Sequence, residues 1–306
     1  MRIIVLGSAA GGGFPQWNCA CRNCIACRRG DHGFLPRTQS SLAVTANGRD
    51  FLLLNASPDL RAQIAATPAI QARADAGTRD SPIAAVLVTN ADVDHIGGLL
   101  TLRERQPFTL YATDMVGRVI ASNSIFGVLS DVVARRTLPL DTPTAISGPA
   151  GPIGLTVEAF PVPGKVALFL EQGTPDVGAR SGNTIGLRIA DENGRSFYYI
   201  PGCAAVDAPL AERIAGARLV FFDGTLFTDD EMIAQGLSEK TGRRMGHIPI
   251  AGAGGSLEAF ARLGVERRVY VHMNNSNPVL DPASDERHSV ERAGWEVGHD
   301  GLEIDL

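Results

Sequence analysis

Short apolar runs closed by turn residues recur along the chain. Residues 2–6 (RIIVL) form such a run and lead into a Gly-rich stretch at 7–13, which predicts a buried strand entering a flexible loop. Residues 41–45 and 51–54 flank Asn47-Gly48, a hairpin signal. Residues 83–88 (IAAVLV) are apolar at every position, as expected of an interior strand covered on both faces. Helices are predicted at 58–66, 99–105 and 115–129, with a strand at 108–112. The second half follows the same style, with strands at 155–160, 184–190, 196–200, 219–222 and 268–272 and helices at 210–215 and 257–263. A second hairpin turn falls at Glu192-Asn193-Gly194. Two hairpin-bearing halves with helices between them predict an α/β (α+β) chain with two mixed sheets under outer helices. The stretch 141–152 (DTPTAISGPAGP) could join the halves, but the strands on each side are too few for an independent core. Residues 1–306 are therefore expected to form one domain.

Composition narrows the function classes. At 44% hydrophobic and 20% charged residues the chain is ordinary globular material. With 28 basic and 33 acidic residues its formal charge is −5, opposite to the balance that phosphate contacts favour, so nucleic acid is not expected as a partner. No apolar run approaches the ~20 residues that span a bilayer, and no membrane partner is expected. The opening apolar run is too short for a secretory signal, which points to the cytoplasm. Of 5 cysteines, Cys19, Cys21, Cys24 and Cys27 crowd into one loop, about 18–28, while Cys203 stands alone. A disulfide framework would be spread along the chain, so the cluster points to a metal.

Cys19-x-Cys21-x2-Cys24-x2-Cys27 is close enough for one loop to wrap a structural Zn²⁺ ion. Cys27 completes the ligand set, or a residue from far along the chain replaces it. The segment 89–98 (TNADVDHIGG) directly follows the apolar strand 83–88, at the carboxyl end where ligands gather in α/β sheets. Its Asp92, Asp94 and His95 could bind a divalent ion through oxygen and nitrogen, or Asp92 or Asp94 could cap the following helix. His272 and Asp223 also end apolar strands, and His247 follows a glycine in Met245-Gly246-His247-Ile248-Pro249. Each alone could be a hydrogen-bonded core residue. If these strand ends line one sheet edge, they converge on one site. The Gly-rich stretch 7–13 lacks the G-x-G-x-x-G pattern opening a helix and is not a dinucleotide loop. His32, His288 and His299 lie in polar, turn-like surroundings.

Residues 89–98 resemble the H-x-H-x-D-H loop of the metallo-β-lactamase fold, with Asn90 and Asp92 at the two leading His positions and Asp94 and His95 in register. His272 resembles the last metal-binding His of that fold, and Gly246-His247 the Gly-His of its phosphodiesterase branch. Val162-Pro163-Gly164-Lys165 lies where a further His is expected, and Pro201-Gly202-Cys203 where a bridging Asp is expected. The opening 7–24 (GSAAGGGFPQWNCACRNC) is more specific and resembles the pyrroloquinoline quinone (PQQ) biosynthesis protein B family. Residues 57–61 (SPDLR), 99–104 (LLTLRE) and 273–278 (MNNSNP) are similar to that family too, and the resemblance runs to about Asp281.

The resemblance implies an αββα metallo-β-lactamase-like sandwich and a role in making PQQ, whose precursor is a cross-linked Glu–Tyr unit cut from a small peptide. It implies an Fe²⁺- and O₂-dependent hydroxylase of the tyrosine ring. A two-zinc hydrolase needs about five to seven ligands, and several of those positions lack one here. A single ion held by His95, His272 and one carboxylate, Asp92 or Asp94, matches the two-His-one-carboxylate iron site. Asp223 is an additional candidate ligand, and His247 is expected to orient or deprotonate the phenol. Expected partners are the precursor, O₂ and other PQQ-biosynthesis proteins, with oligomerisation left open. The alternatives are a degenerate metallo-hydrolase and a soluble carrier taking PQQ or its precursor toward the periplasm.

Overall fold

Strand order and burial follow from alternation along each apolar run. In the computed structural model, which describes residues 1–306, Ile3 and Val5 face one core cluster while Ile4 and Leu6 face another. The first half supplies β1 (Arg2–Gly7), β2 (Ser41–Thr45), β3 (Phe51–Leu54), β4 (Ile83–Leu87), β5 (Phe108–Ala112) and β6 (Val133–Thr137). The second supplies β7 (Thr144–Gly148), β8 (Gly151–Pro161), β9 (Ile185–Asp191), β10 (Ser196–Ile200), β11 (Leu219–Asp223), β12 (Arg267–Val271) and β13 (Trp295–Val297), and β14 (Glu303–Asp305) closes the chain.

The strands build two 7-stranded mixed sheets, in the orders β14-β1-β2-β3-β4-β5-β6 and β13-β12-β11-β10-β9-β8-β7, the C-terminal β14 joining the strands of the first half. In the first, β3 to β6 pair in parallel and β14 to β3 antiparallel. In the second, β10 to β13 are parallel and β7 to β10 antiparallel. The sheets face each other across a core of 27 residues drawn from both, including Leu52, Leu87, Tyr199, Phe221 and Val269. A second cluster of 24 residues lies under the helices Ala208–Ile214, Ser256–Phe260 and Asp285–Arg292. A third, of 23 residues, lies under Leu60–Ala66 and Asp114–Ser122. This is the expected α/β layering of two mixed sheets between helices. No helix is long and apolar enough to cross a membrane.

Several elements depart from the sequence expectations. Of the helix expected over 99–105, residues 99–103 lie in a 3-10 helix, Gly97–Arg103, and 104–105 fall in the bend after it. The helix expected over 115–129 breaks at Asn123 into Asp114–Ser122 and a 3-10 segment Ser124–Leu129. The Asn123 amide donates to the Val119 carbonyl, a side-chain bond that competes with the helical ladder. β7 lies inside the stretch that reads as a connector, and β6 is an edge strand whose residues after Val133 are exposed, so neither carries an apolar signature. The helix Asp285–Arg292 also went unforeseen; it buries only Val290.

The parallel strands β4, β11 and β12 deliver the segments that follow them toward one end of the sandwich. The turn after β12 is braced by Glu231, whose buried carboxylate accepts from Ser276 Oγ at 2.5 Å and from the Phe227 N–H at 2.6 Å. Burial pushes this carboxyl up to about 7 from 4.5 despite those bonds. The folded state therefore holds a proton that the unfolded state releases between these values, and this contribution to stability is lost as pH rises through that window. The loss is on the order of 3 kcal/mol. Glu231→Gln should be most stabilising, relative to wild type, above neutrality. Melting both proteins at about pH 5 and about pH 8 checks this, and a pH-independent difference would show that the carboxyl does not titrate in the fold.

Candidate metal centres

At the exit of β4 the chain turns through Thr89 and Asn90 into the short helix Val93–Ile96, which carries Asp94 and His95. His272 follows β12 directly. Their ligand atoms come together: His272 Nε2 lies 3.0 Å and His95 Nε2 3.7 Å from Asp94 Oδ2. Donors ~2.1 Å from a shared ion stand about 3.0–3.4 Å apart, so the trio has roughly the span one cation needs. His95 Nε2 is buried with no hydrogen-bond partner, which in a native core calls for an occupant. Burial raises the Asp94 carboxyl, but the His95 charge and the His272 bond outweigh it and hold the group well below the usual carboxylate range.

Two threonines set the imidazole tautomers. Thr225 Oγ1, buried behind His272, donates to Asp223 Oδ1 at 2.6 Å, so its lone pair accepts from His272 Nδ1 at 2.9 Å. Thr89 Oγ1 donates to Asn55 Oδ1 at 3.1 Å and faces His95 Nδ1 at 3.4 Å. With the Nδ1 proton directed at the threonine, each imidazole turns its Nε2 toward Asp94; His272 Nε2 lies within hydrogen-bond distance of the carboxylate, and a cation between them would meet a bare Nε2 on both rings. His272 holds a left-handed backbone, φ 60°, uncommon outside glycine. The following amides pin it there: Met273 N donates to Ser8 O and Asn274 N to Thr225 O, both at 2.9 Å.

A second group, Asp223, His247 and His272, shares His272. Asp223 is fully buried and already engaged: Oδ2 accepts from His247 Nδ1 at 2.7 Å and Cys203 N at 2.9 Å, and Oδ1 from the Thr225 hydroxyl and N–H. These bonds place it behind His247, whose ring stacks on His272 with centroids 5.2 Å apart. His247 Nε2 receives no protein partner, and the residue lines the cleft. Cys203 does not replace a bridging Asp: its thiol donates to the Ala205 carbonyl, and burial pushes its pKa up.

Asp92 stands in neither ligand group. Its Oδ1 accepts from the Leu168 N–H at 2.9 Å, and its own N–H is held by Asn90 Oδ1 at 2.9 Å. Both residues line a cleft of about 440 Å³ together with Asp94, His95, His247 and His272. Of the two carboxylates left open by the sequence, the geometry puts Asp94 among the imidazoles and makes Asp92 a loop anchor. Asn55 and Thr225 were not identified from sequence. Nothing but their position after or beside an apolar strand could have marked them.

The cysteine cluster is a separate site. Cys19, Cys21 and Cys24 bring their sulfurs within 4.8 Å of one another, and Asn275 Nδ2 lies 3.1, 3.5 and 3.4 Å from them in that order. Tetrahedral ligands ~2.0–2.3 Å from an ion stand about 3.5 Å apart, so the amide occupies the fourth corner. Turned over, it would present Oδ1 to a cation. Burial, with Cys21 and Cys19 beside it, pushes the Cys24 thiol up to about 12, so without a cation three thiolates cannot coexist here. Cys27, expected among the ligands, is the exception. It sits on the helix Arg22–Arg29 with its side chain in the apolar cluster, and burial raises its pKa.

Two mixed sheets, helices outside, and an Asp–His–His group at the strand ends define a metal-site protein of the metallo-β-lactamase type, and the family model described as Beta-lactamase superfamily domain matches residues 51–273. The chain is 52% identical over 308 residues, with both chains covered completely, to coenzyme PQQ synthesis protein B of Methylobacterium nodulans. It superposes on the crystal structure of Zn²⁺-bound PqqB from Methylobacterium extorquens with a TM-score of 0.95, at 51% identity and full coverage of both chains. A diphosphatase of the PhnP family shares the fold at 18% identity and a TM-score of 0.69, over 100% of this chain and 97% of its own. The chain belongs to the coenzyme PQQ synthesis protein B family.

Thr225→Val keeps the shape of the side chain and deletes the hydroxyl. Metal affinity at the Asp94 site should fall by about 10–100-fold as His272 loses its fixed tautomer. Thr225→Ser should restore most of it. Competition against a chelator reads both, and unchanged affinity in the valine variant would remove Thr225 from the assignment.

Proposed function

We propose that the chain acts in PQQ biosynthesis as an Fe²⁺- and O₂-dependent hydroxylase of the tyrosine ring in the Glu–Tyr-derived precursor. The observation that carries this reading is the pairing of His95 Nε2, buried and without a partner, with Asp94 and His272. Two imidazoles and one carboxylate make the donor set of non-haem iron oxygenases, with room left for substrate. An iron ion held there would supply the O₂ activation that side chains lack. Ring hydroxylation places one oxygen atom on carbon and sends the other to water, so a reductant must provide two electrons.

The chain's own residues do the rest. Asp223 fixes His247 with its proton on Nδ1, so Nε2 is free to take the phenol proton. Asp92 holds the segment at Leu168 over the cleft. A structural Zn²⁺ would sit among Cys19, Cys21, Cys24 and Asn275, a reading supported by the three converging sulfurs and the amide facing them; the M. extorquens relative is itself Zn²⁺-bound. The proposal assigns the reaction to the cytoplasm, alongside other PQQ-biosynthesis proteins. A two-zinc hydrolase is disfavoured because Asn90 and Asp92 spend their side chains on loop bonds.

The test is anaerobic iron loading followed by O₂ uptake with the precursor. His95→Ala and His272→Ala should each lose the iron. His247→Ala should keep it and lose turnover by about 10²–10⁴-fold. Loss of iron in the His247 variant would make that residue a ligand instead of a base. Tight precursor binding with no O₂ uptake by the iron-loaded protein would favour the carrier.

A further inference from the structure

The same cleft carries charges that the metal chemistry does not use. Lys165 Nζ lies 2.8 Å from Glu171 Oε1, while Arg244 and Lys240 approach Oε2 at 3.2 and 3.7 Å. No other acid pairs with these three cations, so one carboxylate faces three positive groups. Lys165 and Glu171 are nearly buried, with side chains 11% and 9% exposed, where charge is screened less than at the surface. Lys165, Lys240 and Glu171 line the cleft that contains Asp94, His247 and His272. The arrangement is built into the backbone. Gly246, at φ 91°, would place a Cβ 3.3 Å from Lys165 Cγ, so its bare backbone admits the lysine stem beside His247. The Asp92 bond to Leu168 N fixes the segment between Lys165 and Glu171.

We infer that Lys165 and Lys240 form a carboxylate-binding subsite of the cleft, held ready by Glu171, that selects small aromatic acids carrying more than one carboxylate. This rests on the proposed hydroxylase reading only for the identity of the aromatic ring. In the free protein Glu171 stands in for the ligand. Burial raises its carboxyl, but Lys165, Arg244 and Lys240 more than offset this and keep it ionised. When an anionic arm enters, Lys165 and Lys240 turn to it while Arg244 retains Glu171. The ligand's carboxylates are then read at one part of the cleft and its ring is left near His247 and His272.

Binding is measured anaerobically by calorimetry on the full chain, with the Glu–Tyr-derived acid and its fully esterified form as probes. Wild type should prefer the acid, and Lys165→Met and Lys240→Met should each weaken the acid by roughly 10–100-fold while leaving the ester unchanged. Glu171→Gln should tighten the acid several-fold, because it removes the competing carboxylate. A purely structural Glu171 would instead weaken both probes. Equal losses for acid and ester, no loss at all, or weaker acid binding in Glu171→Gln overturns the subsite. The lysine pattern without O₂-dependent product keeps the subsite and sinks the hydroxylase, while product formation with lysine variants of unchanged affinity does the reverse.

Discussion

Most of the active end hangs on one hydroxyl. Thr225 Oγ1 touches Asp223, His247 and His272, and the backbone of the same residue holds Asn274. A hydroxyl has a single hydrogen, so its gift to the Asp223 carboxylate decides the rest: the imidazole beside it must donate from Nδ1. From that choice follows the orientation of His272, whose Nε2 is turned to Asp94 from the other half of the chain. The two halves of the sandwich are covalently distant but meet at this end through an Asp and a His 178 residues apart.

How much of this the sequence disclosed depends on the kind of signal. Runs such as 83–88 and 219–222 are apolar at every position because both faces are covered, and their strands were legible. The polar residues that end them stood out as candidates, although each alone could have been a hydrogen-bonded core residue, and only their meeting at one end of the sandwich singles them out. Edge elements were not legible. β6 reads VARRT and β7 lies among Gly, Pro and Thr, because an edge strand with one open side needs no apolar pattern.

The choice between Asp92 and Asp94 was also hidden. Both sit in one short segment, and only the turn at Asn90, which points Asp92 at Leu168, separates them. Cys27 misled for a related reason. Spacing along the chain suggested a fourth thiolate, but the helix beginning at Arg22 carries Cys27 into the apolar cluster, and the fourth corner falls to an asparagine more than 250 residues away. The MNNSNP stretch resembled the family as a string, yet its chemistry could be read only once Asn275 faced the sulfurs.

That asparagine is three positions after His272, on the same pinned turn. Its side chain belongs to the cysteine cage, while His272 and Asn274 line the cleft, so the two sites share one short length of backbone. If the cysteine cage holds zinc as proposed, a chain made without it, or one whose thiols have been oxidised, would have this turn anchored only from the His272 side. On the proposed reading, zinc supply and thiol redox state would then bear on whether the Asp94 group keeps its ion, and the order of metal loading on how the protein matures.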